Sequence, residues 1–130
     1  MTVRLLAVMV LAAVCCGGCG DRGADAPRTV AMAFEDALVS ADGAAACGLL
    51  APDTVKELEQ SSGSACAEAV LEQGLPAAKA AEGAEAYGSM AQVRFAEDTV
   101  FLAELDDGWR VLAAGCTPAA ARFDCTLQGG

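Results

Sequence analysis

The hydrophobic period of the chain changes once. Between residues 27 and 73 the apolar positions recur at helical spacing, and after Glu85 they alternate. Val30, Phe34, Ala37, Leu38 and Ala41 share one helical face, with Glu35, Asp36 and Ser40 turned elsewhere. Asp25-Ala26-Pro27 suits the start of this helix, an acid as cap and a proline in the first turn. Asp42-Gly43 ends it and can cap a short second helix over 44–50, with Cys47 and Leu50 on one side. Pro52-Asp53 opens a third, with Val55 and Leu58 inward. Beyond the Ser61-Ser62-Gly63-Ser64 loop a fourth covers 65–73, with Cys66, Val70 and Gln73 in a stripe, and Gly74 and Pro76 stop it. Residues 77–84, Ala-rich and broken by Gly, fit helix or loop.

The second half reads as strands. Ala86-Tyr87 begins a short one that turns at Gly88-Ser89. Across 91–96, Val93 and Phe95 face one way, Gln92 and Arg94 the other. Glu97-Asp98 forms a tight turn. Residues 99–105 are almost wholly apolar, which fits a central strand. Asp106-Asp107-Gly108 is a hairpin signal, followed by a strand over 109–114. Gly115-Cys116-Thr117-Pro118 breaks that strand, and 123–127 adds a last one. Helices followed by a meander predict an α+β domain, its N-terminal helices packed on one face of a curved antiparallel sheet.

Residues 5–14 are an unbroken apolar run behind Arg4. As a helix it measures about 15 Å, half a bilayer core of about 30 Å, so it reads as the core of a secretory signal. Small residues and a cysteine follow, Gly17-Gly18-Cys19. This resembles the bacterial lipoprotein box, in which the chain is cut before a cysteine that carries diacylglycerol. The resemblance implies a signal peptide over 1–18, a lipidated Cys19 heading a tether over 19–26, and a domain over 27–130. Two or more acyl chains anchor a protein stably where one is marginal.

Composition narrows the function. The apolar fraction of 55% is largely Ala, so the core has few large anchors: Phe34, Tyr87, Phe95, Phe101, Trp109 and Phe123. The net charge is −10 and deepens by one if Arg4 leaves with a leader. The charge argues against nucleic acid as a partner, whose phosphates need basic patches, and none is expected. A flat seat on anionic lipid is disfavoured on the same ground. With Cys19 acylated and Cys15 and Cys16 removed, Cys47, Cys66, Cys116 and Cys125 remain. An even set outside the cytoplasm suggests two disulfides among three possible pairings, and the short loops favour Cys47–Cys66 with Cys116–Cys125. A free-thiol catalyst needs an activating base, and the chain has no His.

Ala33-Phe34-Glu35-Asp36-Ala37-Leu38 with Asp42-Gly43-Ala44-Ala45-Ala46-Cys47 resembles the opening helix and corner of the nuclear-transport-factor-2-like superfamily. Asp98-Thr99-Val100-Phe101-Leu102-Ala103 with Asp107-Gly108-Trp109-Arg110-Val111 resembles its closing hairpin. The layout over 28–127 is also similar to small uncharacterised actinobacterial lipoproteins. The superfamily resemblance implies a cone-like α+β fold whose enzymes hold an acidic base and a Tyr or Asp oxyanion donor in a pocket. Candidate pocket residues are Tyr87, Trp109 and Phe34. As packing residues, Tyr87 is expected half-buried and Trp109 in the core. The acids lie on helix exteriors (Glu35, Asp36, Glu57, Glu59) or at turns (Glu97, Asp98, Asp106, Asp107), where water is expected to keep them ordinary. Arg94 and Arg110 are expected to pair with acids on the sheet. No metal cluster, phosphate cradle or hydrolase elbow is present in the sequence, and no cofactor is expected. The expected function is a lipid-anchored, non-catalytic binding or accessory domain for an envelope protein or small apolar ligand, on the extracytoplasmic face of the cell membrane. The alternatives are a pocket enzyme of the isomerase or hydrolase kind and a structural subunit of a membrane complex.

Overall fold

The structure, a computed structural model, describes residues 23–129. The leader over 1–18 and Cys19 lie outside the described residues. Four helices lead, α1 (Asp25–Val39), α2 (Gly43–Leu49), α3 (Pro52–Ser62) and α4 (Cys66–Glu72). Five strands follow, β1 (Gly83–Tyr87), β2 (Met90–Arg94), β3 (Thr99–Leu105), β4 (Gly108–Ala119) and β5 (Arg122–Gln128). They form one antiparallel sheet in the order β1-β2-β3-β4-β5. The expected α+β class, helices on a meander, is observed, and the sheet is not closed into a barrel.

Each element follows from its residues. Pro27 sits in the first turn of α1, where a missing N–H costs nothing. Asp25 is not the cap that was expected; Ala24 holds the N-cap position without a side-chain bond and is buried. The fold therefore starts before residue 27, inside the expected tether. Asp42 does cap α2, accepting a bond from the Ala45 N–H at 3.0 Å. Gly43 begins α2 against α4 so closely that a Cβ would run into the Ala67 carbonyl.

The sheet lays its helix-facing side chains, among them Ala91, Val93, Val100, Leu102, Trp109, Val111, Ala114 and Leu127, on Ala31, Phe34, Leu58, Ala69 and Val70 in one continuous buried cluster. The register of β3 on β4 shifts between Thr99 and Leu102, which bends and twists a strand pair. Residues 115–118 do not break β4, against expectation. Gly115 takes φ +65°, and the strand runs on to pair Cys116 with Cys125 and Pro118 with Phe123. A glycine at positive φ can hold a bulge where another residue would end the strand.

Side chains and backbone fasten the helices to the sheet. The Thr54 hydroxyl donates to the Leu112 carbonyl at 2.9 Å, and the Ala51 N–H donates to Val111 at 2.8 Å. Both expected disulfides are present: Cys47–Cys66 ties α2 to α4, and Cys116–Cys125 ties β4 to β5. Every cysteine among the described residues is bridged, as in proteins of an oxidising, extracytoplasmic setting. No helix among the described residues is long and apolar enough to cross a membrane.

Candidate functional site

The chemistry that stands out lies at one end of the sheet, where α1 meets the β2–β3 turn. The buried face of α1 runs Pro27, Ala31, Phe34, Glu35 and Ala37. It is rotated from the expected stripe, so Val30 and Leu38 are half-buried and Glu35, only 1% exposed, points inward. Asp98 is 3% exposed. The expectation that water keeps both acids ordinary is thus overturned.

Glu35 Oε2 accepts the Ala78 N–H at 2.8 Å, and Asp98 Oδ1 accepts the Cys116 N–H at 2.8 Å. The nearby backbone N–H groups of Gly115 and Thr99 also favour the charged form of Asp98. The remaining oxygens, Glu35 Oε1 and Asp98 Oδ2, are buried without any donor among the described residues as long as both groups are carboxylates. The two carboxyls are in hydrogen-bond contact with each other. One proton between them satisfies both orphans, with Glu35 as the donor and Asp98 as the acceptor. Burial raises Glu35 from its ordinary 4.5 to about 7, and the neighbouring charges of Asp98 and Asp36 push the same way against the Ala78 bond. Asp98 is raised too, by burial, against the pull of its backbone donors.

This arrangement is a latch. It joins α1 to the segment around Ala78, and the β2–β3 turn to the β4 bulge. An open depression of ≈ 340 Å³, lined by residues including Ala78, Lys79, Glu82 and Glu97, adjoins it, but neither carboxyl lines that space. A carboxylic acid held near 7 has the right proton affinity for acid–base catalysis. At 1% and 3% exposure, both groups are closed off from solvent in this fold.

The residues singled out from the sequence are scattered. Phe34 and Trp109 are packed in the core cluster. Tyr87 is not half-buried; it stands 68% exposed at the end of β1, so the three do not form one pocket. Arg94 pairs with Glu85 at 2.7 Å and Arg110 with Asp107 at 2.8 Å, as expected. Asp106-Asp107 forms the β3–β4 turn. No group of three or more His, Cys, Asp or Glu among the described residues is placed to hold a metal ion. Sequence reasoning missed Glu35 and Asp98. The available signal was the alternative face Pro27, Ala31, Phe34 and Leu38, on which Glu35 lies.

The fold and its site define a disulfide-bridged α+β domain with a sealed carboxyl pair. No protein-family model, curated protein or solved structure matches the chain.

Proposed function

We propose that the protein is a lipoprotein anchored through Cys19 to the extracytoplasmic face of a bacterial membrane, and that its domain is a non-catalytic binding or accessory module for an envelope protein. The observation that carries this reading is the state of the cysteines. The four downstream of Cys19 among the described residues are consumed in two bridges. That fits export and leaves Cys19, behind its apolar run and two glycines, as the cysteine for the lipid. Helix α1 begins six residues after Cys19, so the domain sits directly above its anchor. The interior between helices and sheet is filled by Phe34, Leu102, Trp109 and Val111, and the two unusual acids are sealed. Recognition at the surface suits such a body better than chemistry inside it, and favours a protein partner over a small apolar ligand. The resemblance to the nuclear-transport-factor-2-like superfamily belongs to this proposal as an architecture shared without its open pocket.

Replacing Cys19 with Ser tests the anchor. The wild-type chain is expected in the membrane fraction with a diacylglyceryl cysteine as its first residue, and Cys19→Ser in the soluble fraction. Equal membrane retention of the variant, or an unmodified amino terminus by intact mass, refutes the reading.

A further inference from the structure

The described chain enters the fold at the end of the sheet opposite the carboxyl pair. A Cβ built on Gly23 would lie 3.9 Å from that of Ala86, one residue before Tyr87. From there α1 runs away: Arg28 reaches the Ala81 carbonyl ahead of β1, and Glu35 meets Asp98 at the far turn. The near end consists of the β1–β2 and β3–β4 turns, joined by the Glu104 N–H donating to the Ser89 carbonyl at 2.8 Å.

Large apolar side chains stand in water at this end. Tyr87 is 68%, Met90 43% and Leu105 37% exposed. Tyr87 pairs with Met90, and Met90 with Ala103, which lies two residues from Leu105. Cross-strand partners share a face, as do alternate residues of a strand, so the three make one patch. Arg110 lies opposite Ala103 on that face and neutralises Asp107.

Gly23 lies four residues after Cys19. Fully extended they reach about 14 Å. A headgroup layer is about 7 Å deep, half the difference between a whole bilayer and its hydrocarbon core. A lipid on Cys19 therefore holds this end of the domain against the headgroups. We propose that the tip formed by Tyr87, Met90 and Leu105 docks on the same membrane that carries the anchor, with the domain standing on its two turns. The inference rests on the anchoring proposed above. The tyrosine ring, apolar in body and polar at its hydroxyl, suits the interface, and the two aliphatic side chains reach the acyl boundary. Glu104 and Asp106 at the same end disfavour anionic lipid, so the matching surface is zwitterionic.

The test uses the full-length lipidated protein in phosphatidylcholine vesicles with brominated acyl chains. The parent has one tryptophan, Trp109, which is buried. Tyr87→Trp adds a probe at the tip, and Glu97→Trp adds one in the opposite, exposed β2–β3 turn. Bromolipid is expected to quench the fluorescence added at 87 roughly twofold or more, because an interfacial residue sits at the headgroup–acyl boundary, and to leave that added at 97 unchanged. Equal behaviour of the two probes in protein that floats with the vesicles overturns the docking and leaves the anchor standing. Wild-type protein that does not float overturns both.

Discussion

At the end of the sheet where the chain enters, the β1–β2 and β3–β4 turns leave Tyr87, Met90 and Leu105 in solvent, and Asp106 and Asp107 lie at the surface. At the other end the β2–β3 turn folds Asp98 inward onto Glu35, and Cys116–Cys125 closes the adjoining hairpin. Both ends carry acids at turns, but only the far one takes an acid, Asp98, out of water. Burying a charge is costly unless it is paired or neutralised. The far end meets that cost with the Cys116 N–H bonded to Asp98, the N–H groups of Gly115 and Thr99 nearby, and a proton held on Glu35. The buried polar network thus lies at the end away from Gly23, and the near end presents apolar side chains.

The largest expected effect comes from breaking that network. Asp98→Ala removes the acceptor for the Cys116 N–H, takes a carboxylate away from the N–H groups of Gly115 and Thr99, and strips Glu35 of its partner. We expect a loss of about 3–5 kcal/mol, since each buried donor left bare costs about 1–3 kcal/mol. Urea midpoints at pH 6 measure it; a loss below about 1 kcal/mol would mean that Asp98 does not organise this end. Removing the bridges comes next. Loop-closure entropy gives roughly 3 kcal/mol for Cys47–Cys66 and roughly 2.5 kcal/mol for Cys116–Cys125, whose sequence separations are 19 and 9. The paired Cys→Ala variants should therefore fall in that order in urea unfolding, and the Asp98 bond to Cys116 widens the gap by making the shorter bridge partly redundant.

The carboxyl pair also gives the fold a pH dependence. Glu35 keeps its proton to about 7 in the folded chain and to 4.5 when unfolded. Between these values the folded state binds more protons, so stability falls as pH rises through the window and levels off above it. The raised Asp98 contributes with the same sign. For Glu35 the swing is at most about 3 kcal/mol. Glu35→Gln should remove most of it, since a neutral amide can accept the Ala78 N–H and donate to Asp98 Oδ2. Thermal melts should show the variant about 1–3 kcal/mol more stable than wild type at pH 8 and no more stable at pH 4. An identical pH profile for the two proteins would exclude the shared proton.

How far the sequence discloses this contrast depends on which interactions are local. The meander, its turns and both disulfides follow from alternation, Asp-Gly and Gly-Ser punctuation and short cysteine loops, all set within about twenty residues. The inward turn of Glu35 does not. Val30 and Ala31, like Ala37 and Leu38, are all apolar, so the stripe could be centred on either side of Phe34; packing against the sheet chooses the smaller alanines. Asp98 was equally hidden. Glu97-Asp98 has the composition of a solvated turn, and the donors that draw Asp98 inward come from the Gly115 bulge, a feature read from sequence as the end of a strand. The two errors are one: with β4 cut short at 114, nothing remains for Asp98 to cap.

The smallest expected effect sharpens the comparison from the other side. Tyr87→Thr and Met90→Thr replace exposed apolar side chains with a residue suited to strands. Neither side chain belongs to the buried cluster. Each change should shift the unfolding free energy of the soluble Cys19→Ser chain by no more than about 0.5 kcal/mol in either direction. A loss of 2 kcal/mol or more, on the scale of the far-end variants at about 3–5 kcal/mol, would show that the tip is part of the folding core. Near-zero cost carries a further meaning. Side chains that contribute nothing to the fold yet form one apolar patch at the end where the described chain begins have their use outside the domain, where contiguous exposed apolar surface marks a contact.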